Sequence, residues 1–243
     1  MTDNKNIALL IAINDYRGTE NDLKGCLNDQ SDMEVLLHTE YRVVKLSDDQ
    51  ATVSNVKSKL KEIISILNKG DKFVIHYSGH GTQVIDKNGD EKDGYDEALY
   101  LYDGCLIDDE LHSILMNLRE GVVCLVLLDS CFSGTATRGL NQKNRFVTTD
   151  SIEPHFAKQR SITKVDDMKW CVISGCSENQ TSADGVFNGR PNGAFTYYLI
   201  KSVRENITIK DWFKNLRKLL PSWKYSQIPT LEGNRSLFNQ KIV

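Results

Sequence analysis

The chain has 243 residues and a formal net charge of −3, with 40% hydrophobic and 26% charged residues. A chain of this length buries roughly 70–75% of its unfolded surface, so one large core can hold it without disulfide or metal staples. Lys and Arg are scattered rather than gathered into a stripe with aromatics, which argues against nucleic-acid binding, and no apolar run has the length or flanks of a signal peptide or membrane span.

Strands and helices alternate along the chain. Ile7–Ile13 reads as a buried strand, Asn28–His38 as a helix carrying Met33, Leu36 and Leu37, and Arg42–Leu46 as a second strand. Thr52 is placed to cap a helix in which Val53, Val56, Leu60, Ile63, Ile64 and Leu67 form one apolar stripe. Asn68-Lys69-Gly70 ends that helix, and Phe73–Tyr77 follows as the third strand. Residues 82–107 read as hairpin-like, with Asn88-Gly89 at a turn. Asp108 is placed to cap a helix with Leu111, Ile114, Leu115 and Leu118 on one face, and Val122–Leu128 is the fourth strand.

Residues 135–167 show no sustained period and read as a mobile linker. Order returns with Trp170–Ser174, a helix near Ala194–Val203, another over Ile209–Leu220 and a short strand near Pro229–Leu231. The pattern predicts a single α/β domain over 1–243, with a mainly parallel sheet and helices on both faces. A larger part (1–134) and a smaller part (168–243) flank the basic linker (135–167).

Two of the buried strands end in turns of small residues. One runs into Ser78-Gly79-His80-Gly81, the other into Asp129-Ser130-Cys131-Phe132-Ser133-Gly134. Neighbouring strands of a parallel sheet deliver their C-terminal ends to the same edge, where active sites collect. An imidazole there can polarise a thiol, and glycine permits close substrate approach. Alone, each residue reads more simply as a core cysteine or a scaffold histidine. Together, in this order and about 50 residues apart, they fit a caspase-like pattern. Cys105, Cys124 and Cys171 lie in or beside apolar runs and read as core, while His38, His76, His112 and His155 have no comparable setting. The cysteines lack CxxC spacing and read as reduced thiols of a cytoplasmic protein.

Tyr77-Ser78-Gly79-His80-Gly81 and Asp129–Gly134 resemble the dyad motifs of metacaspases, the caspase-related cysteine peptidases. Leu23–Asp29, Tyr95-Asp96-Glu97, Ile107-Asp108-Asp109, Ser174–Ala183 and Gly193–Thr196 resemble further family segments in the same order, so the resemblance spans Ile7 to about Leu231. It implies a caspase–haemoglobinase-like three-layer sandwich. It also implies a cysteine endopeptidase with Cys131 as nucleophile, His80 as general base and acid, and the backbone N–H groups of Cys131 and Gly81 as oxyanion donors. By the same resemblance Asp29 and Asp129 line the S1 pocket, with Cys26 and Ser78 beside them. Two carboxylates in one enclosed pocket favour a guanidinium or ammonium, so cleavage after Arg or Lys is expected. Local chemistry alone leaves simpler roles open: Asp29 as a helix N-cap and Asp129 as a turn residue.

The linker holds Arg138, Lys143, Arg145, Lys158, Arg160 and Lys164, so such a peptidase is expected to cut itself between Arg138 and Lys164, with Arg160 and Lys164 the favoured positions. Many metacaspases are calcium-activated, and Asp96, Asp108 and Asp109 match the family's acidic positions. Where a fourth acid is expected stands Arg138, a cation that would repel Ca²⁺, so no cofactor is expected to be required. The expected partners are peptide or protein substrates with a basic P1 residue, with no nucleic acid, no membrane and a monomeric chain. Two other readings stay open: an Asn-preferring or ligating relative of the same fold, and a catalytically silent caspase-like binding module.

Overall fold

The computed structural model describes residues 5–18, 20–85, 95–130, 143–145, 147, 168–175 and 183–243. A six-stranded sheet lies at the centre, built from β1 (Asn6–Ala12), β2 (Arg42–Ser47), β3 (Lys72–Ser78), β7 (Val123–Asp129), β9 (Cys171–Ser174) and β12 (Thr230–Gly233). Their order across the sheet is β12-β9-β7-β3-β1-β2. All neighbours run parallel except β12, which pairs antiparallel with β9 at one edge.

Successive side chains of a strand point to opposite faces, and the sequence uses this to feed two cores. Ile7, Leu9 and Ile11 of β1, with Phe73, Ile75 and Val126, pack against Val56, Leu60 and Ile63 of helix α2 (Val53–Ile66) and Leu115 of α3 (Asp108–Leu115). Ala8, Leu10, Val74, Leu125 and Leu127 pack on the other face. There they meet Met33 and Leu37 of α1 (Cys26–Leu37), Leu199 of α4 (Ala194–Ser202) and Trp212 of α5 (Ile209–Leu216). Helices on both sides of a mostly parallel sheet form the three-layer sandwich expected from the sequence. Thr52 caps α2 as its position predicts, its side chain accepting the Asn55 N–H at 3.2 Å.

Two small antiparallel sheets sit beside this core: β4 (His80–Ile85), β5 (Tyr95–Leu101) and β6 (Gly104–Ile107) form one, which bears out the hairpin-like pairing expected over 82–107, while the Asn88-Gly89 turn lies outside the described residues. The other joins β10 (Ala183–Phe187) to β11 (Arg190–Gly193) and to the short strand β8 (Lys143–Asn144). Asn188 and Gly189 both have positive φ, 53° and 80°, in the two-residue turn that closes β10 onto β11. Such turns match the twist of the strands they join.

Three expectations shift. The first helix begins at Cys26 rather than Asn28, with Gly25 at its N-cap, which puts Asp29 inside the helix and removes its capping role. Asp108 is the first residue of α3, Ile107 holds the cap position, and no side chain makes a cap hydrogen bond. The helix expected to run to Leu220 ends at Leu216. Among the described residues no helix is long and apolar enough to cross a membrane.

Candidate active site

The sheet register sets the site. Ser78 at the end of β3 pairs with Asp129 at the end of β7, on the face covered by α1 and α4. Asp29, one turn into α1, meets them there. Its carboxylate accepts from Ser78 Oγ at 2.8 Å, Asn192 Nδ2 at 2.9 Å and the Gly193 N–H at 3.0 Å. Asp129 accepts from both the N–H and the hydroxyl of Thr196, at 2.9 and 2.7 Å. Behind it, His76 is held by a hydrogen bond to the Thr196 hydroxyl at 3.0 Å, and burial lowers its pKa to about 4, so the ring is neutral.

The arginine of this cluster comes from the basic linker. The Arg145 side chain is fully buried. Its Nη2 lies 2.9 Å from Asp29 Oδ2 and 3.1 Å from Asp184 Oδ1. Nη1 donates to Ser78 Oγ at 2.7 Å and to the Asp129 carbonyl at 3.1 Å, and lies 3.3 Å from Asp129 Oδ1. Burial works against the guanidinium charge, but Asp129 leads a set of neighbours that more than restores it. Burial likewise raises the Asp29 pKa, to about 7, against the pull of Arg145. Every contact Asp29 makes is with a donor, the pattern of an ionised carboxylate. The walls are tight: a Cβ on Gly193 would overlap the Asp129 carboxylate and come within 2.7 Å of the guanidinium.

Of the pocket residues expected from the sequence, Asp29, Asp129 and Ser78 therefore converge on one guanidinium. Cys26 lies fully buried at the start of α1, its thiol sensing the charges of Arg145 and Asp29. Gly193 and Thr196 entered the sequence reading only as ends of a family-like segment, and Asp184 and Asn192 did not enter it. Asp184 sits on β10, where its Oδ2 accepts the Lys24 N–H at 3.0 Å. Its available signal was the Asn188-Gly189 turn, which marks a hairpin and hence a strand over 183–187.

His80 opens β4 immediately beside this pocket. Its N–H donates to the Tyr16 hydroxyl at 2.7 Å and its carbonyl accepts from the Tyr77 hydroxyl at 2.6 Å. The Tyr16 ring lies 4.8 Å from the imidazole, and behind it stacks Tyr100. A Cβ on Gly79 would stand 2.5 Å from the Tyr77 hydroxyl and 2.7 Å from that of Tyr16, so only glycine lets both tyrosines clamp the turn. Nε2 of His80 lies 2.6 Å from the Asn21 carbonyl. A carbonyl only accepts, so Nε2 carries the proton of the neutral ring, and Nδ1 is the nitrogen able to take one. Fixing one ring nitrogen in this way leaves the other turned to act as a base wherever a thiol stands beside it.

Cys131 follows Asp129 by two positions in the chain and lies outside the described residues, as do Arg138, Arg160, Lys164 and His155. Gly81 does not: its N–H donates to the Arg145 carbonyl at 2.9 Å. Burial pushes the thiols of Cys26, Cys105, Cys124 and Cys171 upward, to about 11 for Cys105 and about 12 for Cys171. A nucleophilic thiol needs the opposite shift, so none of these four is suited to the role.

Asp96 lies on β5, and Asp108 and Asp109 open α3, where the carboxylates of Asp96 and Asp109 act on that of Asp108. Burial first, then Asp109, Glu97 and Asp96, pushes the Asp108 carboxyl up to about 7. Among the described residues no group of three His, Cys, Asp or Glu side chains is arranged to hold a metal ion.

A family model described as the caspase domain matches residues 5–238. Metacaspase-1 of Scheffersomyces stipitis is 33% identical to this chain, the match covering 92% of the chain and 69% of that protein. Metacaspase-1 of Schizosaccharomyces pombe is 32% identical, with 96% and 68% covered. Metacaspase-1B of Aspergillus fumigatus is 31% identical, with 95% and 70% covered. The crystal structure of a protein from Geobacter sulfurreducens matches with a TM-score of 0.79 at 30% identity, covering 98% of this chain and 97% of that one.

Proposed function

Because the chain belongs to the caspase-domain family, as a metacaspase-like cysteine peptidase, we propose that it is an endopeptidase cutting after Arg or Lys through a His80–Cys131 dyad. The observation that carries the specificity is the Arg145 guanidinium seated among Asp29, Asp129 and Asp184. A pocket that encloses one arginine with three carboxylates is built for a cation, and it would repel the acidic side chain that many caspases take. The neutral amide of an asparagine brings no charge to set against three buried carboxylates, which speaks against the Asn-preferring alternative.

In this reading His80 Nδ1 takes the thiol proton of Cys131, because the Asn21 carbonyl holds the other nitrogen protonated. The thiolate adds to the substrate carbonyl, the Gly81 N–H holds the oxyanion, and His80 returns the proton to the leaving amine. Water then releases the acyl group from sulfur. The same specificity turned on the basic linker gives self-processing within residues 138–164. The residues of the acidic segment, Asp96, Asp108 and Asp109, take no part in these steps, and the reading requires no metal.

An arginyl acyloxymethyl ketone, which alkylates a thiol only after its arginine has docked, tests the assignment. We expect a single adduct on Cys131, none in Cys131→Ala, and none with an aspartyl probe. A binding module with a silent dyad would give no adduct with either probe.

A further inference from the structure

We propose that residues 143–145 and 147 lie in the active site in the manner of a bound substrate, with Arg145 as the P1 residue, and that the chain cuts itself at the Arg145–Phe146 bond. This rests on the reading of Cys131 and His80 as the catalytic pair and narrows it to one bond, different from the favoured positions Arg160 and Lys164.

Independent contacts agree on the pose. The Arg145 side chain fills the acidic pocket. Its own carbonyl, the one a P1 residue presents for attack, accepts the Gly81 N–H at 2.9 Å. On one side of it, Lys143 and Asn144 pair antiparallel with Asp184 and Ala183 of β10, as a peptide adds to a sheet edge. On the other side, the Val147 N–H donates to the Gly81 carbonyl at 3.1 Å, and the Val147 carbonyl accepts from Thr82 Oγ1 at 2.6 Å. Gly81 thus grips the chain on both sides of the 145–146 bond.

A merely structural arginine accounts for less. A buried ion pair explains the guanidinium contacts, but it requires neither the carbonyl at the expected oxyanion donor nor paired backbone on both flanks. Complete burial also sets Arg145 apart from a surface pair such as Arg190–Asp32, where the arginine side chain is 43% exposed. The pose further assigns subsites: β10 pairs with residues before the cut, while Gly81 and Thr82 hold the second residue after it. Val147, buried in that position, identifies an apolar side chain as the fitting one there.

The chemistry balances with what the chain supplies. The Cys131 thiolate adds to the Arg145 carbonyl carbon, the bond to the Phe146 nitrogen breaks, and that nitrogen takes its proton from His80. Water hydrolyses the thioester, leaving an Arg145 carboxylate, a free Phe146 amine and the restored thiol. Because nucleophile and bond share one chain, the rate is first order and independent of protein concentration.

The test follows the full chain by intact mass and N-terminal sequencing over a tenfold range of protein concentration, beside turnover of a separate Arg-P1 peptide. The expected result is a new N-terminus at Phe146, appearing at a concentration-independent rate in the wild type and in Arg160→Gln/Lys164→Gln, and absent in Cys131→Ala. Phe146→Pro, which keeps Arg145 and its acidic partners, is expected to slow this cut at least a hundredfold without relying on a variant that empties the pocket. Turnover of the peptide with no cut after Arg145, or with cuts only after Arg160 or Lys164, overturns the proposal and leaves the peptidase reading intact. Failure to turn over the peptide and failure to self-cleave together overturn both.

Discussion

Replacing Asp184 by Asn isolates the carboxylate that the sequence reading missed. Asp184 Oδ1 stands 3.1 Å from the buried guanidinium, and the side chain is only 7% exposed. Oδ2 accepts the Lys24 N–H at 3.0 Å, which fixes how the group is turned. An Asn side chain has one acceptor for these two donors, so either Lys24 or the arginine faces an NH₂ group. A hydrogen bond to a charged partner contributes about 1.5–3 kcal/mol. At about 1.4 kcal/mol per tenfold, Asp184→Asn lowers kcat/KM for an Arg-P1 peptide by roughly 10–100-fold. A P1 lysine presents a shorter stem and a single ammonium, which cannot span Asp29 and Asp184 as the fork does, so its turnover falls less. The assay compares kcat/KM on peptides that differ only at P1, with both proteins at the same extent of self-cleavage by intact mass and with matching thermal melts. Arg turnover within twofold of the wild type would refute the reasoning that Asp184 holds the P1 side chain.

His76 is neutral when buried, with its pKa lowered to about 4 from 6.5, so the unfolded chain binds the extra proton first as pH falls. Its stabilising share is present above pH 6.5 and is lost between 6.5 and 4, an amount of about 3 kcal/mol. Denaturant titrations at the two pH values should show the wild type losing about that much more than His76→Gln, and equal losses would contradict the assignment. Gly79→Ala drives a methyl group into the Tyr77 and Tyr16 hydroxyls, overpacking that typically costs about 1–3 kcal/mol. A lower melting temperature and at least tenfold slower peptide turnover are expected, and a wild-type enzyme in both assays would show that the tyrosine clamp does not position His80. Peptide turnover in a chelator is expected to match that in millimolar calcium, and tenfold stimulation by calcium would contradict a metal-independent mechanism.

The sheet was legible because its strands are nearly continuous apolar runs, the mark of strands buried on both faces. Ile7–Ile13 and Val122–Leu128 could be little else. The start of α1 was not legible, because its inward positions include the polar Asp29 and Gln30, both buried against partners far along the chain. Apolar periodicity carries no mark of such positions, and the same blurring made Asp29 look like an N-cap. The β10–β11 hairpin lacks apolar alternation altogether. Pairing with β8 and the buried side chain of Gln227, which accepts the Ala183 N–H at 3.2 Å, hold it in place. Arg145 was visible as one of several linker cations, but its burial depends on carboxylates at positions 29, 129 and 184, and nothing in its immediate neighbours announces them. Ser78, Asp129 and His80 entered through motif resemblance, and the structure supplies the physical setting that the motif leaves implicit: Tyr16, Tyr77 and the Asn21 carbonyl around the imidazole.

Both the Cys131 nucleophile and the acidic pocket are put to the test by kcat/KM on a panel of peptides with Arg, Lys, Asp or Asn at P1, measured with the wild type and with Cys131→Ala. We expect turnover after Arg and, more slowly, after Lys, none after Asp or Asn, and none in Cys131→Ala. Turnover after Asp or Asn, or activity that survives in Cys131→Ala, would contradict the proposed function.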